Sequence, residues 1–431
     1  MNQSSIQPQK LFVASCLALL VTSLSFGIRA GILNTLGQTF QLDMKELGII
    51  AGTAFWGFPL AVVIGGFIVD KIGMKNLLVA AFVLHLAGIL LTIFATGFWE
   101  LFISTLFIGM ANGTVEAACN PLVVSIFPNN KTTKLNYFHL WFPGGIVIGT
   151  LISYYLGTVG GVNYKWLMAI MLIPTFIYGY LFLRLKFPVT ERVASGISTS
   201  QMYRALGNPL FIVIFILMAG TAVTELYTGQ WIEILMKNVV ENSILILAIT
   251  TGVQTLGRAF AGPIVHKMSP AGVLLISSIL AALGLYMMST VSGNMVFVAA
   301  VIFGLGVTYF WPCMLGFVSE NIPESGALGM NLVGGMGMFA VSIFTSIIGG
   351  HFDTIIAAKL PAGADYHAYV GAAPGSTEAA AYAAAQSASG PEILQIILYI
   401  PLVLIVAFTC LVIYMRKRKN QPHNHLQTQT A

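Results

Sequence analysis

Charged side chains are scarce in this sequence. Only 8% of its 431 residues are Asp, Glu, Lys or Arg, whereas 57% are hydrophobic. A soluble globular protein carries about 25% charged residues, so this chain has too few charges to cover a surface in water. The mean hydropathy of +0.86 agrees. The composition therefore argues against a soluble protein and indicates an integral membrane protein.

The sequence is also poor in cysteine and in enzyme motifs. Its four cysteines, Cys16, Cys119, Cys313 and Cys410, fall in apolar runs and form neither a disulfide framework nor a metal-ligand spacing. It contains no G-x-S-x-G, no P-loop and no zinc spacing. We therefore expect no enzyme activity, no metal or other cofactor and no ATP site. Without a soluble basic segment, we also expect no nucleic-acid partner.

Long apolar runs are what the sequence does contain. Each approaches the roughly 20 residues that a helix needs to cross a hydrocarbon core of about 30 Å, and short alternating strands typical of a membrane barrel are lacking. The first run is too long for a signal peptide and is expected to be retained. The sequence thus predicts an all-α membrane protein with twelve transmembrane helices, at 11–37, 47–69, 77–96, 101–127, 135–156, 166–185, 210–236, 244–265, 273–290, 295–318, 327–350 and 393–414.

Lys and Arg set the expected orientation. If the N-terminus is cytoplasmic, 14 of the 20 basic residues fall in cytoplasmic segments, four in outer loops, and Arg29 and Arg258 within apolar runs. Because Lys and Arg are enriched in cytoplasmic loops, we expect both termini to be cytoplasmic. The chain would then be a multi-pass protein of a plasma membrane, of the bacterial inner-membrane type.

The two halves of the chain repeat each other. GGFIVDK at 65–71 is similar to AGPIVHK at 261–267, an offset of 196 residues (71 to 267). Further pairs at nearly the same offset are Gly109 with Gly304, Pro128 with Pro323, and Asn136 with Asn331. Duplicated halves are typical of carriers with a substrate site near the midplane between them.

The repeat and one polar segment divide the chain. We expect an N-terminal six-helix bundle over 1–186, a cytoplasmic linker over 187–208 and a C-terminal six-helix bundle over 209–431. The last part includes a basic cytoplasmic tail and a long external loop, 352–389, rich in Ala and Gly. This loop is expected to be mobile or partly helical.

The fourth apolar run carries one acid and two amides. Glu116 lies near its middle, and Asn112 and Asn120 lie four residues to either side, so all three share a helix face. A charge at the membrane centre costs at least about 2.5–3.5 kcal/mol. Glu116 should therefore face a wet cavity or a partner, or be neutral. Two interpretations stay open: coupling to protons or substrate, and a structural carboxyl that holds a helix contact.

Two arginines lie inside apolar runs. Arg29 is in the first run, with Asn34 nearer the outer end, and a protonated arginine needs an acceptor. Glu116 or a substrate oxygen would serve, or Arg29 would extend to the outer headgroups. Arg258 lies four residues after Gln254 in the eighth run. It would bind substrate, pair with an acid or hold a helix contact.

Other polar residues lie in the fifth and seventh runs. Glu225 is near the middle of the seventh, in TELYTGQW, and Gln230 lies nearer the outer end. Asn136 and His139 are three residues apart in the fifth, and polar residues in a membrane helix need partners. His139 is either a ligand contact or a structural histidine with satisfied hydrogen bonds.

Aromatic residues beside amides favour a sugar. Sugars present apolar C–H faces and rings of hydroxyls, which an aromatic plane with amide or carboxyl groups would complement. For any single aromatic residue, the alternative is a lipid-facing or packing role. The candidates are Trp56, Tyr137, Trp141, Tyr227, Trp231, Tyr309 and Trp311.

One loop motif resembles a family signature. Gly66-x-x-x-Asp70-Lys71-x-Gly73-x-Lys75 is similar to the segment between helices two and three of the major facilitator superfamily. The resemblance implies that Asp70, Lys71, Gly73 and Lys75 act in gating.

Within that superfamily, the segment 109–149 resembles the fucose, glucose and galactose proton symporters. Glu225 and Arg258 also match that group. The resemblance implies a fold of two pseudo-symmetric six-helix bundles, a monomer, and Glu116 as the proton-coupling carboxylate. Those symporters carry an Asp in the first helix, where this chain has Asn34, which cannot titrate.

These observations predict a secondary transporter. It would move a sugar or sugar-like solute by alternating access, coupled to protons through Glu116. One alternative is a carrier or exchanger of a carboxylate or sugar acid held by Arg29 and Arg258; another is a sensor or scaffold that does not transport. The residues expected to contact substrate are Arg29, Asn34, Asn112, Asn120, Asn136, His139, Glu225, Gln230, Gln254 and Arg258.

Overall fold

The structure, a computed structural model, describes residues 6–42, 44–236, 244–373 and 375–420. A few side chains inside helices, those of Asn34 and Gln230 among them, fall outside the described part. The N-terminal half comprises α1 (Pro8–Phe40), α2 (Met44–Ile72), α3 (Met74–Ile93), α4 (Phe98–Ile126), α5 (Lys131–His139), α6 (Trp141–Ile152), α7 (Tyr164–Ile170) and α8 (Leu172–Arg184). A π-helical turn, Ser153–Val159, continues α6.

The segment between the halves holds two short helices, α9 (Glu191–Ala194) and α10 (Thr199–Leu206). The C-terminal half follows as α11 (Pro209–Ala222), α12 (Thr228–Met236), α13 (Ile244–Ala259), α14 (Ala261–Thr290), α15 (Met295–Val307), α16 (Phe310–Asn321), α17 (Gly326–Lys359), α18 (Tyr366–Val370) and α19 (Thr377–Asn420). A second π-helical turn, Val223–Tyr227, joins α11 to α12. The all-α prediction is confirmed for the described residues.

The predicted spans correspond to these helices. In the described part, 11 helical stretches are long and apolar enough to cross a membrane. The remaining predicted run, 244–265, covers the 16-residue α13 and the first turns of α14. The chain bends sharply within α14 at Ser269, where φ is 63°, and Pro270 opens the next span.

The segment expected as a long external loop, 352–389, is largely helical where it is described. It contains the end of α17, all of α18 and the first turns of α19. Alanine has the highest helix propensity, and the stretch TEAAAYAAAQSASG at 377–390 extends α19 well before its apolar part. An ion pair of 2.5 Å between Lys359 and Glu392 joins the ends of this segment.

Equivalent close contacts occur in the two halves. A Cβ on Gly109 of α4 would lie 2.8 Å from the Cα of Ala54 in α2. A Cβ on Gly304 of α15 would lie 3.1 Å from the backbone oxygen of Thr250 in α13. Helices approach this closely only where a side chain is absent. The repeat pair Gly109 and Gly304 thus corresponds to matching helix crossings.

The halves meet chiefly along three helix pairs, α2 with α17, α5 with α16, and α6 with α13; α4 also contacts α17, and α5 also contacts α13 and α14. Hydrogen bonds join the halves between the middle of the helices and the ends that the Lys and Arg distribution predicts to be cytoplasmic. We call this set the inner seal: Lys131 to the Ser319 carbonyl (3.2 Å), the Thr132 N–H to Glu320 (3.2 Å), and Asn331 to the Ala117 carbonyl (2.9 Å).

Candidate functional site

Glu116 of α4 lies in a buried polar cluster. The Asn120 amide donates to Glu116 Oε2 at 2.7 Å, one helical turn apart, as their spacing predicts. His139 Nε2 lies 3.0 Å from Asn120 Oδ1, and His139 Nδ1 lies 3.8 Å from Glu116 Oε1. Because Oδ1 can only accept, Nε2 must carry the hydrogen, which leaves Nδ1 of a neutral His139 as an acceptor.

Arg258 connects this cluster to the other half. Its Nη2 donates to Glu225 Oε1 at 2.8 Å, within the C-terminal half. Its Nη1 donates to the backbone oxygen of His139 at 2.9 Å, across the interface. Only 2% of Arg258 is exposed. Glu116, Asn120, His139, Arg258 and Glu225 therefore form one central network spanning both halves.

Prolines leave two backbone carbonyls of this network without a donor in their own helix, so that both can accept from Arg258. In a helix the oxygen of residue i accepts from the N–H of residue i+4, and proline has no N–H. Pro143 therefore leaves the His139 oxygen free, and Pro312 leaves the Thr308 oxygen free. Arg258 donates to both, at 2.9 and 2.8 Å.

The same rule explains one bond of the inner seal, and a helix end explains another. Pro121 frees the oxygen of Ala117, which accepts from Asn331 at 2.9 Å. The oxygen of Ser319 is free for a related reason, because it lies in the last turn of α16, and it accepts from Lys131 at 3.2 Å. A free carbonyl buried in a membrane protein requires a donor, and here each donor comes from the opposite half.

The part of the central network in the C-terminal half has a carboxylate oxygen and, close to it, a hydroxyl that are both unsatisfied among the described residues. Glu225 lies in the π-helical turn, a feature frequent at functional sites. Its Oε2 and the Thr228 hydroxyl are buried without a partner among the described residues. Next to them, Tyr227 stacks on Trp231 with ring centroids 6.0 Å apart and meets Phe344 edge-on at 5.5 Å. Thr228 was not among the predicted contacts; its position one turn after Glu225 was the available signal.

Several predicted contacts lie elsewhere. The Asn112 amide is used inside the N-terminal half: it accepts from His85 Nε2 at 2.8 Å and donates to Ser25 at 3.1 Å. The Tyr178 hydroxyl donates to His85 Nδ1 at 2.7 Å. Although Asn112 shares a helix face with Glu116, it is not part of the central network.

Arg29 and Asn136 form hydrogen bonds outside the central network. Arg29 Nη2 donates to Thr105, and its Nη1 is buried without a partner among the described residues. The predicted alternative of an acceptor at Glu116 is therefore not the arrangement seen. Asn136 donates to the Thr132 oxygen at 2.9 Å and lies beside Cys313 of the other half, and its own Oδ1 has no partner in the part of the chain that the structure describes.

The remaining predicted contacts are three amides and a pair of carboxylates. Gln254 is buried one turn before Arg258 on α13. The side chains predicted at Asn34 and Gln230 lie outside the described residues. Glu116 and Glu225 are 4% and 6% exposed, so in this conformation both are enclosed by helices rather than facing the hydrated chamber that an intramembrane carboxylate favours.

One predicted gating residue, Asp70, contacts the segment between the halves. Asp70 accepts from Thr190 at 2.5 Å and from Arg192 Nε at 2.7 Å. Arg192 in turn packs against Gly326, where an added Cβ would lie 3.0 Å from it. Asp70 thus holds α9 between the two halves, a partner that sequence reasoning did not identify because it lies 122 residues away.

The other three predicted gating positions, Lys71, Gly73 and Lys75, lie at the junction of α2 and α3. Lys75 donates to the Leu183 carbonyl at 2.9 Å, at the end of α8. Gly73 has a φ of 85°, a conformation that favours glycine, and it is the single residue between α2 and α3. Lys71 is exposed.

Asp70→Asn is expected to open the cytoplasmic side more often. Asparagine keeps the shape but loses a charged hydrogen bond worth about 1.5–3 kcal/mol, made here only while α9 is docked. We expect a cysteine at Ser319, 5% exposed here, to react with a thiol reagent roughly tenfold faster in this variant. Asp353→Asn, at an exposed acid bound to Tyr366, is the control and should leave the rate unchanged. Equal rates in both variants would contradict a latch at Asp70.

Comparison with known proteins agrees with this architecture. The profile of the Major Facilitator Superfamily matches residues 15–353. A Xenopus laevis protein, solute carrier family 2, facilitated glucose transporter member 10, is 28% identical over 162 residues, which are 37% of this chain and 29% of that relative. A D-xylose transporter of Levilactobacillus brevis is 25% identical over 34% of this chain and 32% of its own length. The matched segments thus span less than a third of either relative.

Solved structures are similar over nearly the whole chain. The E. coli fucose:proton symporter FucP has a TM-score of 0.67 at 14% identity, covering 91% of this chain and 98% of that one. At this identity the similarity concerns the fold alone.

Proposed function

The chain belongs to the major facilitator superfamily, a family of membrane transporters rather than enzymes, and we propose that it is a secondary active transporter of a sugar or sugar-like solute. It works by alternating access, coupled to protons through Glu116, as a monomer of a bacterial inner membrane with both termini cytoplasmic. The observation that carries this proposal is the central network, which joins two buried carboxylates through Arg258 across the two halves.

Alternating access requires contacts that form and break between the halves. Arg258 to His139 is such a contact, and the inner seal provides others nearer the cytoplasm. Opening toward the cytoplasm must separate the inner seal. Because the central network lies on the same interface, the ligands of that network can influence the separation.

The geometry at Glu116 supports a proton site. Its Oε1 faces His139 Nδ1 at 3.8 Å, beyond hydrogen-bond distance. An ionised carboxylate and a bare ring nitrogen are both acceptors and repel each other. One proton placed between them converts the pair into donor and acceptor and draws them together. Proton uptake by this pair would thereby change the position of α4, which carries Glu116, relative to α5, which carries His139.

The geometry at Glu225 supports a hydroxylated solute. Oε2 of Glu225 is an acceptor and the Thr228 hydroxyl can donate or accept, and both lack partners among the described residues. The stacked pair Tyr227 and Trp231 lies on the same helix. A sugar supplies both hydroxyls and an apolar ring face. The printed names of the relatives, a glucose and a xylose transporter, point to the same class.

One observation favours an anionic solute as the second candidate. Arg29 Nη1 is buried and has no acceptor among the described residues, and a carboxylate would satisfy it. The second arginine of the clamp would be Arg258. Its Nε, Nη1 and Nη2 already donate to protein acceptors, so it is less free to bind a solute carboxylate. A two-arginine clamp would therefore require the central network to open, whereas a sugar does not.

Counterflow in liposomes tests the proposed function. We expect preloaded neutral monosaccharide to drive uptake of labelled sugar, and an inward proton gradient to accumulate it. Thr228→Val, which keeps the shape and removes the hydroxyl, should raise the half-saturation constant about tenfold, as loss of one hydrogen bond of about 1.5 kcal/mol predicts. Its matched control is Thr345→Val, whose hydroxyl donates to the Val341 carbonyl of its own helix.

The outcomes separate the candidates. Uptake that only sugar acids saturate, and that Arg29→Gln abolishes, would replace the sugar proposal with the anion carrier. Absence of flux for sugars and sugar acids alike would contradict both.

A further inference from the structure

We propose that a pocket at the outer end of the N-terminal half is a second binding site, for a small neutral polyhydroxylated solute such as a monosaccharide. The outer pocket has a volume of about 660 Å³ and lies between the end of α1, the π-helical turn Ser153–Val159 and the start of α7. This volume falls within the roughly 300–1,000 Å³ of small-molecule sites. All of its lining residues belong to the N-terminal half, and none belongs to the central network.

The lining of the outer pocket fits a hydroxylated ligand. Thr35 and Thr39 lie one turn apart on α1, and Thr158 and Asn163 line another wall. The Asn163 oxygen accepts from the Lys165 N–H at 2.9 Å, which leaves its amide N–H groups for a ligand. Hydroxyl and amide groups both donate and accept, as sugar hydroxyls do. Among the lining residues Lys165 carries the only charge and there is no carboxylate. Apolar side chains such as Val162 and Leu167 complete the wall and suit the C–H face of a ring.

An unsatisfied hydroxyl also points to a ligand here. Tyr164 lines the outer pocket and is 4% exposed, and its hydroxyl is buried without a partner among the described residues. Its ring packs edge-on against Phe40 of α1, with centroids 6.4 Å apart. Buried polar groups normally have a partner. A hydroxyl of a solute in the outer pocket would supply one when the enclosed Tyr164 side chain turns toward it.

The position of the outer pocket suggests its use. By the predicted orientation it opens on the external side, at the end of α1, the helix that also carries Arg29. A solute held there is concentrated next to the outer end of the transport path. The choice of solute class rests on the proposed function, whereas the pocket and its unsatisfied hydroxyl do not.

Thiol protection tests the site without depending on transport. The full-length protein is reconstituted in liposomes with Cys410→Ser, which removes the exposed cysteine and leaves three buried ones. Thr158→Cys reports on the outer pocket, and Val159→Cys, 65% exposed and not part of the lining, is the matched control. A membrane-impermeant methanethiosulfonate is added outside with D-glucose, D-xylose or D-gluconate.

We expect glucose or xylose to slow labelling of Thr158→Cys at least fivefold and to leave Val159→Cys unaffected. Tyr164→Phe should raise the sugar concentration for half-protection about tenfold, whereas Tyr155→Phe, at an exposed neighbour outside the lining, should not. Protection should persist in a Glu225→Gln background, which separates this site from the central network.

Three results would overturn the proposal. The first is no protection by either sugar, and the second is equal protection of Thr158→Cys and Val159→Cys. The third is protection by gluconate alone, which would reassign the pocket to an anion at Lys165. If sugars protect Thr158→Cys but are not transported, the pocket stands and the proposed transport function fails.

Discussion

Replacing Glu116 with glutamine is expected to abolish proton-driven accumulation while leaving solute exchange intact. Glutamine has the size of glutamate, and its amide oxygen can still accept from Asn120, the bond of 2.7 Å in the structure. It cannot bind and release a proton, so the proton gradient no longer biases the two conformations. We expect the internal solute concentration to rise only to the external one.

This experiment requires uptake and exchange to be measured on the same liposomes. Accumulation under an inward proton gradient should vanish in Glu116→Gln, while counterflow should keep at least roughly a third of its rate, because the neutral form of the carrier still cycles. Glu100→Gln is the matched control, since Glu100 is a half-buried acid at the start of the same helix. Unchanged accumulation in Glu116→Gln would rule out the coupling role of Glu116.

His139 provides a second view of the same pair. If one proton bridges Glu116 and His139 across 3.8 Å, His139→Gln should weaken accumulation but not abolish it, because the carboxylate still titrates. Accumulation that is lost equally in both variants would place the proton on the pair as a unit.

The second large effect is expected at Arg258. Arg258→Met leaves Glu225 buried without its cation, and breaking a buried ion pair in this way costs about 3–5 kcal/mol. It also removes the bond to His139 that crosses the halves. We expect loss of transport by at least about a hundredfold and a clear fall in melting temperature of the purified protein.

A double variant distinguishes folding from function. In Arg258→Met with Glu225→Gln, no charge is left unpaired, so the melting temperature should recover most of the loss. Transport should stay absent, because neither the cross-half bond nor the Glu225 carboxylate is restored. Recovery of transport in the double variant would mean that the ion pair serves stability alone.

Because proline has no N–H, replacing Pro312 should weaken the contacts of Arg258 less severely than Arg258→Met does. Pro312→Ala restores an N–H that can bond the Thr308 oxygen, so Arg258 loses one of its two carbonyl acceptors. The expected decrease in the free energy of unfolding is about 0.5–1.5 kcal/mol, the contribution of one hydrogen bond. Pro401→Ala is the control, because Pro401 lies in α19 and outside the central network. It measures how much replacing a helical proline with alanine changes stability when no Arg258 bond is affected.

Much of the candidate site could be foreseen from the sequence. Helix periodicity, and the free-energy cost of placing a charge inside the membrane, can both be read from residues that are close in the chain. The spacing of Glu116 and Asn120 gave a shared face, and their hydrogen bond lies there. The same reasoning placed Asn112 with them, yet its amide is used by His85 and Ser25. Periodicity assigns a helix face, but neighbours on other helices decide which groups an amide meets.

The sequence alone determined the membrane environment, the helical spans, the repeat and the presence of charges too costly to leave unpaired, since each follows from composition or from residues a few positions apart. Only the tertiary structure decided the pairings: Arg258 with Glu225 and the His139 oxygen, and Asp70 with Arg192. These partners lie 33 to 122 residues apart. Their contacts depend on how whole helices pack, which no local pattern of side chains specifies.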